Sequence, residues 1–131
     1  MAGIGELFQT ADFKSEKHVP VIDAPASVPA GEVFQVSVSV GSEIAHPNTT
    51  EHHIRYITLY FQPAGAKAPF EVGHFEFAAH GESVKGLNEG PVTTHHAVVA
   101  SMKTDVAGTL HAAAYCNIHG LWQSSRDIQV G

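Results

Sequence analysis

The sequence predicts an all-β chain folded as a seven-stranded antiparallel sandwich. Three observations predict it. Apolar and polar residues alternate with a period of two, turn-forming residues separate the alternating runs, and no long segment carries the 3.6-residue period of an amphipathic helix. The 131 residues suit one domain spanning 1–131, and a 44% apolar content is enough to bury a core. A disordered tail or a fibrous protein does not fit that composition.

The N-terminal element comes first: Ile4, Leu7 and Phe8 are spaced for one helical turn, or for an arm reaching a neighbouring subunit. A short strand is predicted at Val19–Ile22. In Val33–Val40, Phe34, Val36, Val38 and Val40 share one face, and Gln35, Ser37 and Ser39 share the other. Gly31 and Gly41 bracket that run. His53–Phe61 is dense in β-branched and aromatic residues and stops at Pro63. Further strands are predicted at Phe70–Ala79, His95–Lys103, Thr109–Tyr115 and Asp127–Val130. Turn signals lie at Pro63–Gly65, Gly86–Gly90 and Ala107-Gly108. This strand count gives the sandwich an immunoglobulin-like character.

Composition narrows function. No apolar run approaches the roughly 20 residues of a membrane span, and the start lacks the basic-then-apolar pattern of a secretory signal. A net charge of −6 argues against nucleic acid. The single cysteine, Cys116, forbids an internal disulfide and suits a reducing compartment. Ten histidines against seven Lys plus Arg point towards a metal.

Three segments hold ligand-type residues near turns or strand ends: Glu16-Lys17-His18-Val19-Pro20, His46-Pro47-Asn48-Thr49-Thr50-Glu51-His52-His53, and Cys116-Asn117-Ile118-His119-Gly120-Leu121-Trp122. The Cys-x-x-His spacing lets one turn aim a thiolate and an imidazole at a single ion, and the glycine after it permits a tight backbone. Pro47 and Asn48 end any strand after His46. His52 and His53 point to opposite faces of an extended chain, so at most one readily joins His46. Parity does not choose between them, because Ile57, Leu59 and Phe61 share the parity of His53 while Ile54, Tyr56 and Tyr60 share that of His52. Alone, the first segment reads as a solvated charged turn.

Together and in order, these motifs resemble the superoxide reductase family, and most closely its one-iron class, also called neelaredoxin. The likeness extends to Leu7-Phe8-Gln9-Thr10-Ala11-Asp12 and Phe77-Ala78-Ala79-His80-Gly81. It implies an immunoglobulin-like sandwich holding one iron (Fe2+/Fe3+) per chain. The implied equatorial ligands are His18, His46, His52 and His119, with the Cys116 thiolate axial. It also implies that Glu16 binds the sixth position in the ferric state only, and that Lys17 is the cation beside the open position. The implied activity is one-electron reduction of superoxide to hydrogen peroxide, with an external donor such as rubredoxin restoring the ferrous state. A cytoplasmic homotetramer is the implied assembly. The cysteine-rich second centre of the two-iron class has no cysteines to build it here.

His53, His74, His80, His95, His96 and His111 lie outside the motifs and read as surface or backbone-satisfied imidazoles, with a supporting or interface role open to His80. Asn48 and Asn117 are placed to hydrogen-bond near the ligands. A blue-copper carrier would share the sandwich and the late Cys-x-x-His, but its axial methionine comes after the last histidine, whereas Met102 precedes Cys116; only Gln123 could replace it. A zinc or adhesion module leaves Cys116 and the three-part pattern unexplained.

Overall fold

The structure is a computed structural model and describes residues 3–131. It contains one helical turn, α1 (Ile4–Leu7), and eight strands: β1 (Pro20–Asp23), β2 (Ser27–Val28), β3 (Phe34–Val40), β4 (Ile54–Pro63), β5 (Phe70–Glu76), β6 (Ala97–Met102), β7 (Gly108–Cys116) and β8 (Gly120–Val130). One sheet has the order β1-β3-β6 and the other β2-β8-β7-β4-β5. Packed face to face, they form the immunoglobulin-like sandwich that the alternation predicts.

The core lies between the inner faces of the two sheets. Strand β3 contributes Phe34, Val36, Val38 and Val40, while Gln35, Ser37 and Ser39 point away, as period two requires. Strands β4, β7 and β8 supply Ile54, Ile57, Leu59, Phe61, Leu110, Ala112, Ala114 and Ile128. Each large aliphatic side chain buried there contributes roughly 1.5–3 kcal/mol. Ile54 and Ile57 differ in parity, yet both are buried. A bulge between Ile54 and Tyr56 in the pairing with β7 accounts for it, since one extra residue reverses the facing of the rest of the strand. The apolar character of both faces of this strand has a second cause: Tyr56 stacks on Tyr115 across the outer face.

The eighth strand corrects the predicted count of seven, and β2 also departs from the all-antiparallel prediction, pairing parallel with β8 through Ser27 and Val28. Two residues are too few to carry a periodic signal. Strand β8 covers Gly120–Val130, not only Asp127–Val130. Its inward positions include Ser124 and Arg126, which a hydrophobic pattern does not recognise. Ser124 Oγ donates to the Pro20 carbonyl at 2.6 Å and Arg126 Nη1 to the Ile22 carbonyl at 3.4 Å, so these polar side chains bridge the two sheets at edge strand β1. Strand β6 starts at Ala97 rather than His95, and β5 ends at Glu76 rather than Ala79.

All residues of α1 are exposed, but the chain after it is anchored. Gln9 N–H donates to the Leu121 carbonyl at 3.0 Å, and Gln123 N–H donates to the Gln9 carbonyl at 2.8 Å. Among the described residues, no helix is long and apolar enough to cross a membrane.

Candidate metal centre

The candidate ligands come from three places at one end of the sandwich. His18 precedes β1, His46 and His52 lie in the connection from β3 to β4, Cys116 ends β7, and His119 lies in the hairpin loop between β7 and β8. The hairpin pairs Cys116 with Gly120 around a three-residue loop, and Gly120 adopts φ +85°. Glycine in the left-handed region closes such a loop without a Cβ penalty. A second glycine acts at close quarters. Gly41 has φ +78°, and a Cβ there would lie 2.6 Å from the His46 backbone nitrogen. The chain can therefore fold back past His46 only with glycine at this position.

Donor atoms of His18, His52, Cys116 and His119 all lie within 4.8 Å of one another. His18 Nε2 stands 3.1 Å from His119 Nδ1, and His119 Nδ1 stands 3.3 Å from His52 Nε2. Cys116 Sγ is 3.7 Å from the same Nδ1 and also accepts the His119 backbone N–H at 3.4 Å. Imidazole lone pairs this close must share a proton or a cation. Bonds of about 2.1 Å set at right angles on one ion would separate neighbouring nitrogens by about 3 Å, close to the observed spacings.

His46 stands outside that four-atom group. Its ring centroid lies 4.9 Å from that of His18 and 4.8 Å from that of His52. Its Nδ1 hydrogen-bonds the Pro47 carbonyl at 2.6 Å, while the buried Nε2 has no partner. A buried, unpaired ring nitrogen whose ring packs against those of His18 and His52 fits a metal ligand. Burial, opposed by the Pro47 bond and reinforced by neighbouring histidines, lowers the His46 pKa to about 4. Burial and then His119, His18 and Lys17 lower that of His52. Both rings are therefore biased towards the neutral form that binds metal.

Glu16 lies against His18. Its carboxylate accepts from the His18 backbone N–H at 2.6 Å and contacts His18 Nδ1 at 2.5 Å. This orients the imidazole with Nε2 towards the other ligands, a carboxylate–histidine pairing common behind metal ligands. Burial raises the Glu16 pKa, but the hydrogen bonds from His18 outweigh it and the net shift is downward. Lys17 is half-buried.

His53 turns away from the cluster. Its ring stacks on His80 at 3.4 Å with planes 9° apart, and its Nδ1 bonds the Thr49 carbonyl at 2.9 Å. His96 packs edge-on to His46 at 5.8 Å. Of the two asparagines, Asn48 donates to the Thr94 carbonyl at 2.7 Å, and Asn117 ties Glu51 to His53. Sequence reasoning missed two neighbours. Trp122 stacks on His18 at 5.1 Å, and Gln9 Nε2 donates to the His119 carbonyl at 2.9 Å. The Trp122 contact was available from strand parity once β8 begins at Gly120; Gln9 carries no comparable signal.

Comparisons with known proteins agree with this geometry. The desulfoferrodoxin family model matches residues 10–125. Neelaredoxin from Megalodesulfovibrio gigas is 58% identical over 123 residues, covering 94% of this chain and 95% of that protein. Superoxide reductase from Pyrococcus furiosus is 52% identical over 126 residues, covering 96% and 99%. The solved structure of Archaeoglobus fulgidus superoxide reductase (neelaredoxin) in the reduced form superposes with a TM-score of 0.87 at 54% identity, covering 94% of this chain and 98% of that one. With a matching family model along most of its length and relatives above half identity, this chain belongs to the desulfoferrodoxin family.

Proposed function

We propose that this protein is a superoxide reductase of the one-iron type. It reduces superoxide with one electron and two protons to hydrogen peroxide and makes no oxygen. The observation that carries the reading is the convergence of His18, His52 and His119 on Cys116 Sγ, with the unpaired Nε2 of His46 beside them. High identity to proteins named superoxide reductase and neelaredoxin supports it.

In this reading, His18, His46, His52, His119 and Cys116 hold one iron. Bound there, iron supplies the electron, and thiolate donation makes that electron easier to release. The chain's own residues do the remaining work. Glu16 holds His18 by its Nδ1 and backbone N–H. The same carboxylate would supply an oxygen donor to the iron in its ferric state. Lys17 offsets the protein's net negative charge where superoxide arrives.

With one cysteine in the chain, re-reduction falls to an external donor, for which rubredoxin is the family's usual agent. A homotetramer would cover exposed apolar side chains such as Ile4, Leu7 and Phe70, and a cytoplasmic location suits the solitary thiol. The test is anaerobic mixing of reduced protein with superoxide. One hydrogen peroxide per iron oxidised, without oxygen release, is expected. Oxygen release in a dismutase ratio would overturn the reading.

A further inference from the structure

The ladder between β4 and β7 ends at Ile54 and Cys116. Beyond that point the two ligand-bearing segments would separate, yet Asn117 continues the pairing. Its backbone N–H donates to the His53 carbonyl at 3.2 Å. Its side chain then does what a further strand residue would do: Oδ1 accepts from the His53 N–H at 2.9 Å, and Nδ2 donates to the Glu51 carbonyl at 2.9 Å. A carboxamide carries the same donor and acceptor as a peptide group, so it can substitute for a missing rung. The two residues it grips are those immediately before and after His52.

We propose that Asn117 is a positioning residue that fixes His52 Nε2 relative to Cys116 Sγ, so that the thiolate loop and the His52 loop move as one body. The inference rests on the metal-centre reading above and deepens it. Asn88 provides the contrast. It grips the same loop from outside, accepting from the Thr50 N–H at 2.8 Å and donating to the Glu51 carboxylate at 2.8 Å and 3.0 Å. No candidate ligand adjoins Asn88 in the chain, and it does not link that loop to the sulfur.

Iron-loaded protein tests the proposal through two readouts, resistance of the iron to a competing chelator and the visible sulfur-to-iron band of the ferric form. Asn117→Ala should weaken iron binding by about tenfold or more and shift the band. Asn117→Ser, a smaller disturbance, serves if the alanine variant does not fold, with the same direction expected. Asn88→Gly keeps the left-handed backbone of Asn88, at φ +63°, and should leave the band in place with affinity within about twofold. An unchanged band and affinity in the Asn117 variants would overturn the proposal even if their melting temperature falls. An equal effect from Asn88→Gly would also overturn it, because general loosening of the loop would then suffice. A wild-type ferric protein without any sulfur band would instead overturn the metal-centre reading itself.

Discussion

Two groups of histidines meet at one end of this sandwich and do different things. In the first, His18, His52 and His119 bring ring nitrogens together around Cys116 Sγ, and His46 adds a buried nitrogen with no partner. In the second, His53 and His80 lie flat against each other at 3.4 Å, and backbone carbonyls take one nitrogen of each, Thr49 for His53 and Phe77 for His80, while the buried Nδ1 of His80 has no partner and no thiolate beside it. Both groups are rich in histidine and contain buried rings, His18 and His46 in the first and His53 and His80 in the second, although His119 is exposed. The difference is where the lone pairs point. Histidine abundance therefore does not define a metal site; convergence of unpaired nitrogens on a thiolate does.

The largest expected effect removes the feature that only the first group has. Cys116→Ser should abolish the sulfur-to-iron band and the reductase activity together, read by visible spectroscopy and superoxide turnover. A serine variant that keeps both would erase the distinction between the two groups. Next come the histidines. His46→Ala and His52→Ala should each weaken iron binding by roughly 10- to 100-fold, measured by chelator competition. His53→Ala should lower the melting temperature by opening the stack with His80, yet leave iron affinity nearly unchanged. A reversed order for His52 and His53 would reassign the ligand.

Metal-free protein sharpens the comparison through pH. Burial holds both His46 and His96 near a pKa of about 4, whereas an unfolded histidine titrates near about 6.5. Between those values the folded chain binds fewer protons than the unfolded chain, so stability rises with pH. The contribution is complete above about pH 6.5 and is lost as pH falls towards 4, on the order of 3 kcal/mol for each group. Denaturant unfolding across that window should show this slope, and His96→Gln should make it shallower. A flat profile would contradict the neutral, buried assignment.

The smallest effect concerns Lys17. In the proposed site, salt screens but does not remove the charge of Lys17, so Lys17→Ala should slow the reaction with superoxide by roughly tenfold, about 1.4 kcal/mol. The dependence on ionic strength should also flatten. Pulse radiolysis over a range of salt concentrations checks both, and an unchanged rate and slope would leave Lys17 as part of a surface turn.

The sandwich was legible where one sheet face is apolar and the other polar, as in Phe34–Val40. It was illegible in β8, where Ser124 and Arg126 face inward and find carbonyls on β1. The site was legible in its three motifs because cysteine and closely spaced histidines leave a dense local signal. The choice of His52 over His53 was not available from parity. It rests on the turn at Thr49–His52, where Thr49 N–H donates to the His52 carbonyl at 2.9 Å, and on the contacts of Asn117, both set by tertiary structure. Glu16 shows the other limit. Its place in the motif implies a ferric-state ligand, and the fold adds a grip on His18 that no sequence pattern signals.

X-ray absorption of the iron-loaded protein, with metal content measured on the same sample, tests the central claim most directly. The account predicts one iron per chain, with nitrogen neighbours from His18, His46, His52 and His119 and a single sulfur neighbour from Cys116. An iron without a sulfur neighbour, or a stoichiometric zinc or copper in its place, would contradict it.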